Sequence, residues 1–261
     1  QGLVIFFVVL IILSFIITLV LTIIRYYDLQ VTRDNKGFKL IAGLFNRKEI
    51  SAVHKKVQIV SWGYNPLQEL LGLFRVKILQ ASAELDTRKA RFLIPGIYDF
   101  QLKKFISEYF SDDMLNRFLT FKIHPLIIFR YTIIFGLIPC LIGTVLVYFT
   151  GNSKFYHIAW LFPIVLLTMT IYQRNWKLDV NAHCIRTTSG IIGRTFKLVH
   201  LYKAQSVQLS QSWYQRRNNL ASVHIFTAGG SITIPYLDIR SAEELKNYLL
   251  YHIESSRRKW M

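Results

Sequence analysis

Carboxylates are scarce in this chain: 15 Asp and Glu stand against 32 Lys and Arg, a formal net charge of +17. The few acids are scattered, and none falls inside the long apolar runs. Proton-coupled transport usually needs an ionisable group within a membrane span, so the shortage argues against it. Cysteine is nearly absent, with only Cys140 and Cys184. Two such distant residues make neither a disulfide framework nor a paired zinc site, and both read as small buried hydrophobes. The 7 histidines include no i, i+4 pair of the kind that grips zinc from one helix face. A Gly-x-Ser-x-Gly elbow, a P-loop and a Gly-x-Gly-x-x-Gly turn are all missing. The expectation is a protein with no cofactor, no metal and no enzymatic activity.

What the chain does have is hydrophobicity, 52% of its residues, gathered into three runs almost free of charge: Leu3–Ile24, Tyr131–Phe149 and Phe155–Tyr172. At about 1.5 Å per residue the first reaches roughly 33 Å, enough to cross a bilayer core. It has no basic n-region and no small-residue cleavage site, so it is not read as a signal peptide. A start directly against a span suggests the C-terminal portion of a longer protein. Basic residues crowd one side of the spans (Arg25, Arg33, Lys36, Arg117, Lys122, Arg174), whereas the turn between the second and third runs offers only Lys154. The positive-inside bias therefore predicts a multi-pass plasma membrane protein with both polar segments in the cytoplasm.

The polar segments repeat each other. HKKVQIVSWGYNPLQELLGLFRVKI at His54–Ile78 returns as LYKAQSVQLSQSWYQRRNNLASVHI at Leu201–Ile225, and one fixed offset carries Gln58 to Gln205 and Gln68 to Gln215. Upstream, YDLQVT pairs with WKLDVN, and AGLFNR pairs with SGIIGR after a two-residue shortening. Short alternating runs separated by turn residues, among them KEISAV, VQIVSW and FRVKILQA, read as strands. Each set is followed by an amphipathic helix: Asp99–Phe110 with Asp99 as N-cap, and one opened by a Ser241/Glu244 capping box. The organisation predicted is a span (1–24), a first domain (25–123), an interfacial start with two spans (124–172), a second domain (173–253) and a basic tail (254–261).

Leu29-Gln30-Val31-Thr32, Gly43-Leu44, Arg47, Lys56-Val57-Gln58, Leu71-Gly72-Leu73 and Thr227-Ala228-Gly229-Gly230 together resemble the bacterial pleckstrin-homology-like membrane proteins of the YdbS/YdbT type. The first copy departs from the last of these motifs with Gln80-Ala81-Ser82, and the second replaces Leu-Gly-Leu with Asn218-Asn219-Leu220. The resemblance implies an α+β chain with transmembrane helices. Its two PH-like domains would each be a bent seven-stranded antiparallel sheet capped by a C-terminal helix, joined by a transmembrane hairpin. It implies no catalysis.

Binding candidates follow from basic and aromatic clusters. Arg33, Lys36 and Lys39 lie in the first β-turn, where pleckstrin-homology domains gather charge around lipid phosphates. Trp213, Arg216 and Arg217, and the tail residues Arg257, Arg258, Lys259 and Trp260, mix cations with aromatic rings, a combination suited to an anionic membrane surface. Arg130, the one charge in the helical extension of a span, is expected to anchor that helix at the interface by snorkelling to headgroups. Nucleic acid is not expected, because membrane tethering accounts for the same charge without a basic recognition helix. The function expected is a non-catalytic pair of docking modules for a protein partner, first of all a sister membrane protein, or for anionic lipid. The alternative is a subunit or regulator of a transport or channel complex.

Overall fold

Apolar side chains without an interior charge form helix α1 (Gly2–Arg25), and its two threonine hydroxyls bond within the helix itself. Thr18 Oγ1 donates to the Ser14 carbonyl at 2.8 Å and Thr22 Oγ1 to the Thr18 carbonyl at 2.7 Å, so neither threonine hydroxyl needs water at mid-helix. The computed structural model describes residues 2–81, 91–111, 114 and 118–255 and divides the chain into two units, Gln1–Lys56 and Val57–Met261. In the first unit α1 leads into a three-stranded antiparallel sheet in the order β1 (Gln30–Asp34), β2 (Gly37–Ala42), β3 (Lys48–Val53).

The second unit opens with β4 (Val57–Tyr64), the short helix α2 (Pro66–Leu70), β5 (Leu73–Gln80), β6 (Arg91–Tyr98), helix α3 (Asp99–Ser107) and β7 (Leu119–Lys122). Helix α4 (Leu126–Thr132), a π-helical turn and α5 (Ile138–Thr150) follow, then a 3-10 segment (Ser153–Trp160) and α6 (Leu161–Asn175). After them come β8 (Lys177–Val180), β9 (Cys184–Ser189), β10 (Arg194–His200), β11 (Ala204–Ser210), α7 (Trp213–Arg217), β12 (Leu220–Thr227), β13 (Gly230–Asp238) and α8 (Ile239–Ser255).

Seven strands do form one sheet, but not within one copy of the repeat. Its order is β6-β5-β4-β10-β9-β8-β7, so strands of the first copy continue into strands of the second. The junction is an antiparallel ladder from Arg194↔Tyr64 to Val199↔Ile59. Gly63 makes it possible: a Cβ there would lie 2.5 Å from the Arg194 carbonyl oxygen, so only glycine lets the β10 backbone approach. The remaining strands form a second antiparallel sheet, β11-β12-β13.

The ladders also shift one pairing by two residues. Both copies align without any shortening: Gly43 and Asn46 take the places of Gly190 and Gly193, and Gln30-Val31-Thr32 those of Lys177-Leu178-Asp179. The sequence match of YDLQVT with WKLDVN is therefore out of register. A slip of two keeps every side chain on its own face, so the hydrophobic pattern cannot detect it.

The core of the second unit gathers Leu178, Val180, Ile185 and Val199 from one sheet, Val223, Ile225 and Ile234 from the other, and Leu245 and Leu249 from α8. Ile123 and Ile127, at the start of α4, are buried in the same cluster. Helix α8 starts earlier than its expected Ser241/Glu244 box: the Asp238 carboxylate takes the Arg240 N–H at 3.0 Å. Helix α3 ends at Ser107 rather than Phe110, because Phe110 leaves the helix to stack on His200 with ring centroids 4.0 Å apart.

Among the described residues three stretches are long and apolar enough to cross a membrane: Ile5–Arg25, Leu126–Thr150 and Ser153–Asn175. The second contains the π turn Ile133–Leu137 just before Pro139, whose missing N–H breaks the regular helical ladder. Small residues let the second and third approach: a Cβ on Gly143 would stand 3.2 Å from Ile158 Cβ, and one on Gly136 would stand 3.3 Å from Phe162 Cα.

Candidate functional site

Two turns, one per copy, join a module to the helix that precedes it. In the first unit the Gly43 N–H donates to the Tyr27 carbonyl at 2.9 Å and the Leu44 N–H to the Ile24 carbonyl at 3.0 Å, holding the β2–β3 turn against the end of α1. In the second unit Asn175, the last residue of α6, donates from Nδ2 to the Gly190 carbonyl at 3.1 Å in the β9–β10 turn. Both turns carry exposed apolar tips, Phe45 at 83% exposure and Ile192 at 75%. Large apolar side chains at the tip of a turn have no folding reason to face water. Each tip lies beside the end of a helix long and apolar enough to cross a membrane. Sequence reading missed both. The available signal was the apolar pair, Leu44-Phe45 and Ile191-Ile192, set between turn-forming residues at the same place in each copy.

Arg130 does not reach outward. Its Nη1 donates to the Tyr236 hydroxyl at 2.7 Å and to Ser212 Oγ at 3.3 Å, and its guanidinium lies 5.8 Å from the centre of the Tyr214 ring. The headgroup snorkel expected of it is replaced by protein partners on β13 and at the start of α7. Burial, opposed by the Arg130 hydrogen bond, holds the Tyr236 hydroxyl above its ordinary pKa, so the ring stays neutral. The second span is thereby tied to the second module by polar contacts as well as by Ile127.

The other expected residues fall into separate places. Arg33 stands on β1 opposite Phe38, Lys36 in the turn after it, and Lys39 on β2, where its ammonium pairs with Glu49 at 2.7 Å. Lys39 is thus partly neutralised. Trp213, Arg216 and Arg217 lie together on α7 and are exposed, with the Arg217 guanidinium 5.7 Å from the Trp213 ring centre. Helix α7 exists because Gln215 caps it, its Oε1 taking the Ser212 N–H at 2.9 Å. Gln68 does the same for α2 through Asn65 at 3.1 Å, which explains why this glutamine recurs in both copies. Arg257, Arg258, Lys259 and Trp260 lie outside the described residues. Cys184 is buried on β9, and burial pushes its thiol up to about 11, an unreactive setting.

A family model described as "Bacterial PH domain" matches residues 2–99 and 125–253. Over 206 residues the chain is 24% identical to the UPF0699 transmembrane protein YdbT of Bacillus subtilis (strain 168), covering 76% of this chain and 41% of the relative. Over 83 residues it is 31% identical to the UPF0699 transmembrane protein YdbS of the same organism, covering 32% of this chain and 52% of that relative. The chain therefore matches about half, or less, of each of these relatives.

Proposed function

This chain belongs to the bacterial PH domain family, and from that membership we propose that it is a non-catalytic membrane protein whose two PH-like modules dock a sister membrane protein built from related modules. In this reading the modules are residues 25–123 and 173–253, joined by a transmembrane hairpin at 124–172, and the positive-inside bias supports a cytoplasmic place for both. One observation carries the docking: strand β4 of the first copy already pairs edge to edge with β10 of the second. That pairing supports a sheet edge as the surface by which one module recognises another. Main-chain hydrogen bonds supply the affinity in such strand addition, and the flanking side chains supply the selection.

The place that β4 holds in the first copy belongs to β11 in the second. Strand β11 ends its sheet with β12 as its one hydrogen-bonded neighbour among the described strands, and Ser206, Gln208 and Ser210 along it are exposed. A strand equivalent to β10, offered by a related module, fits this edge. The finding that YdbS and YdbT, both transmembrane proteins of one bacterium, each match this chain supports a partner of that kind. Both proteins would be held to one membrane, so weak pairing suffices at the high local concentration that tethering creates.

The test is site-specific photocrosslinking in native membranes. A photoreactive residue at Gln208 should capture the sister bacterial PH-type membrane protein of the same cell, identified by mass spectrometry, while the same probe at Glu243 on α8 should not. Failure at Gln208, or equal capture from Glu243, overturns the reading.

A further inference from the structure

At the end of α6 the second unit encloses a cavity of about 470 Å³, whose lining includes Arg174, Lys177, Asp179, Arg186, Thr188 and Arg194. The charges are unevenly matched. Among the described lining residues Asp179 is the one carboxylate and is consumed internally, accepting from Arg186 Nε at 2.9 Å, from Arg186 Nη2 at 2.8 Å and from Thr120 Oγ1 at 2.7 Å. Among the described residues Arg174, Lys177 and Arg194 make no ion pair, and all three are exposed at the mouth.

The internal repeat supplies a control for this excess. The ladder register places Arg47 of the first copy where Arg194 stands in the second. Arg47 is neutralised there by Asp28, its Nη2 lying 2.6 Å from Oδ2. In the second copy the same register puts Asn175 at the Asp28 position, and the sequence match of the two segments puts Lys177 there. On either alignment the acid is gone, and the amide of Asn175 turns to the Gly190 carbonyl instead. The second copy has kept the arginine, removed its counter-ion and added Arg174 and Lys177 around it. The lining is thereby left with three cations that no carboxylate of the described lining answers.

Its position identifies the source. Arg174 and Asn175 are the last residues of a span-length apolar helix, and the neighbouring turn exposes Ile192. Both features put the mouth at the depth of lipid headgroups, where a phosphate is tethered and abundant. We propose that this cavity is a binding site for the headgroup phosphate of an anionic phospholipid, held by Arg174, Lys177 and Arg194 with the Thr188 hydroxyl beside them. The assignment lies on the β8–β9–β10 surface, and it stands independently of the partner docking proposed above.

The full chain in a mild non-ionic detergent should be titrated with phosphatidylglycerol and the bound lipid counted by native mass spectrometry. Wild-type protein should retain phosphatidylglycerol over phosphatidylcholine, and the Arg174→Gln, Lys177→Gln, Arg194→Gln triple variant should bind it at least about tenfold more weakly. Asn175→Asp restores the acid of the first copy beside Arg194 and should weaken retention in the same direction while leaving the other charges in place. Inorganic phosphate at millimolar concentration should not displace the lipid. Unchanged retention in both variants, equal retention of phosphatidylcholine, or full displacement by inorganic phosphate each overturns the assignment.

Discussion

Arg130 and Tyr236 are 106 positions apart and meet at 2.7 Å, guanidinium to hydroxyl, where the second span enters the second module. Tyr236 holds this position at φ 54°, in the left-handed region that a bulky residue rarely adopts. The contact therefore offsets local backbone strain. It also fixes how a membrane helix meets a sheet, which a buried Ile127 alone would leave free to rotate.

Arg130→Met and Tyr236→Phe should each lower the stability of the detergent-solubilised chain by about 2 kcal/mol, the usual worth of a hydrogen bond to a charged group. The double variant should fall well short of the sum, with a coupling of about 1 kcal/mol or more. Thermal unfolding of the four proteins checks this, and additive losses would show that the two side chains act separately.

Gly63 is the hinge of the shared sheet. Gly63→Ala places a methyl 2.5 Å from the Arg194 carbonyl oxygen, an overlap that costs about 1–3 kcal/mol as the strands part. Hydrogen exchange should show β4 and β10 losing amide protection together. Loss confined to β4 would mean that the ladder between the copies is not cooperative.

Lys203 is buried, and desolvation lowers its ammonium to about 8 from 10.5. Its Nζ donates to the Val57 carbonyl. Between these two values the unfolded chain binds more protons than the folded one. Stability should therefore be lowest below about pH 8 and rise toward pH 10.5, by at most about 3 kcal/mol. Lys203→Met should flatten that rise in a series of melting curves. An identical slope in the variant would assign the pH dependence to other groups.

Asn219 at φ 54° repeats the left-handed backbone of Gly72 at φ 63°. Asn219→Gly should change stability by a few tenths of a kcal/mol, whereas Asn219→Val should cost about 1–2 kcal/mol because its branched Cβ opposes this conformation. Chemical denaturation of the three proteins decides it.

That turn shows how far sequence reasoning reaches. The second copy replaces Leu-Gly-Leu with Asn218-Asn219-Leu220, yet asparagine is the side chain that best replaces glycine at positive φ. Strand alternation in KEISAV and VQIVSW and the amphipathic closing helices were legible for a similar reason, since each is decided within a few residues. Arg130 was marked as unusual from its setting alone, but its partners lie far along the chain and could not be inferred. The cavity at Arg194 was equally hidden. Its three free cations had appeared only as markers of membrane orientation, or not at all, and their convergence depends on the β8–β9–β10 ladder.

The sequence by itself determined the apolar spans, the duplication and the family, because hydropathy, fixed spacing and turn chemistry are written in neighbouring residues. Tertiary structure alone decided that the two copies share one sheet, that β8 sits two residues from its apparent register, and that one arginine keeps a counter-ion while its twin does not. Those outcomes rest on backbone hydrogen bonds and charge contacts between residues far apart in the chain, for which a strand's own pattern carries no code.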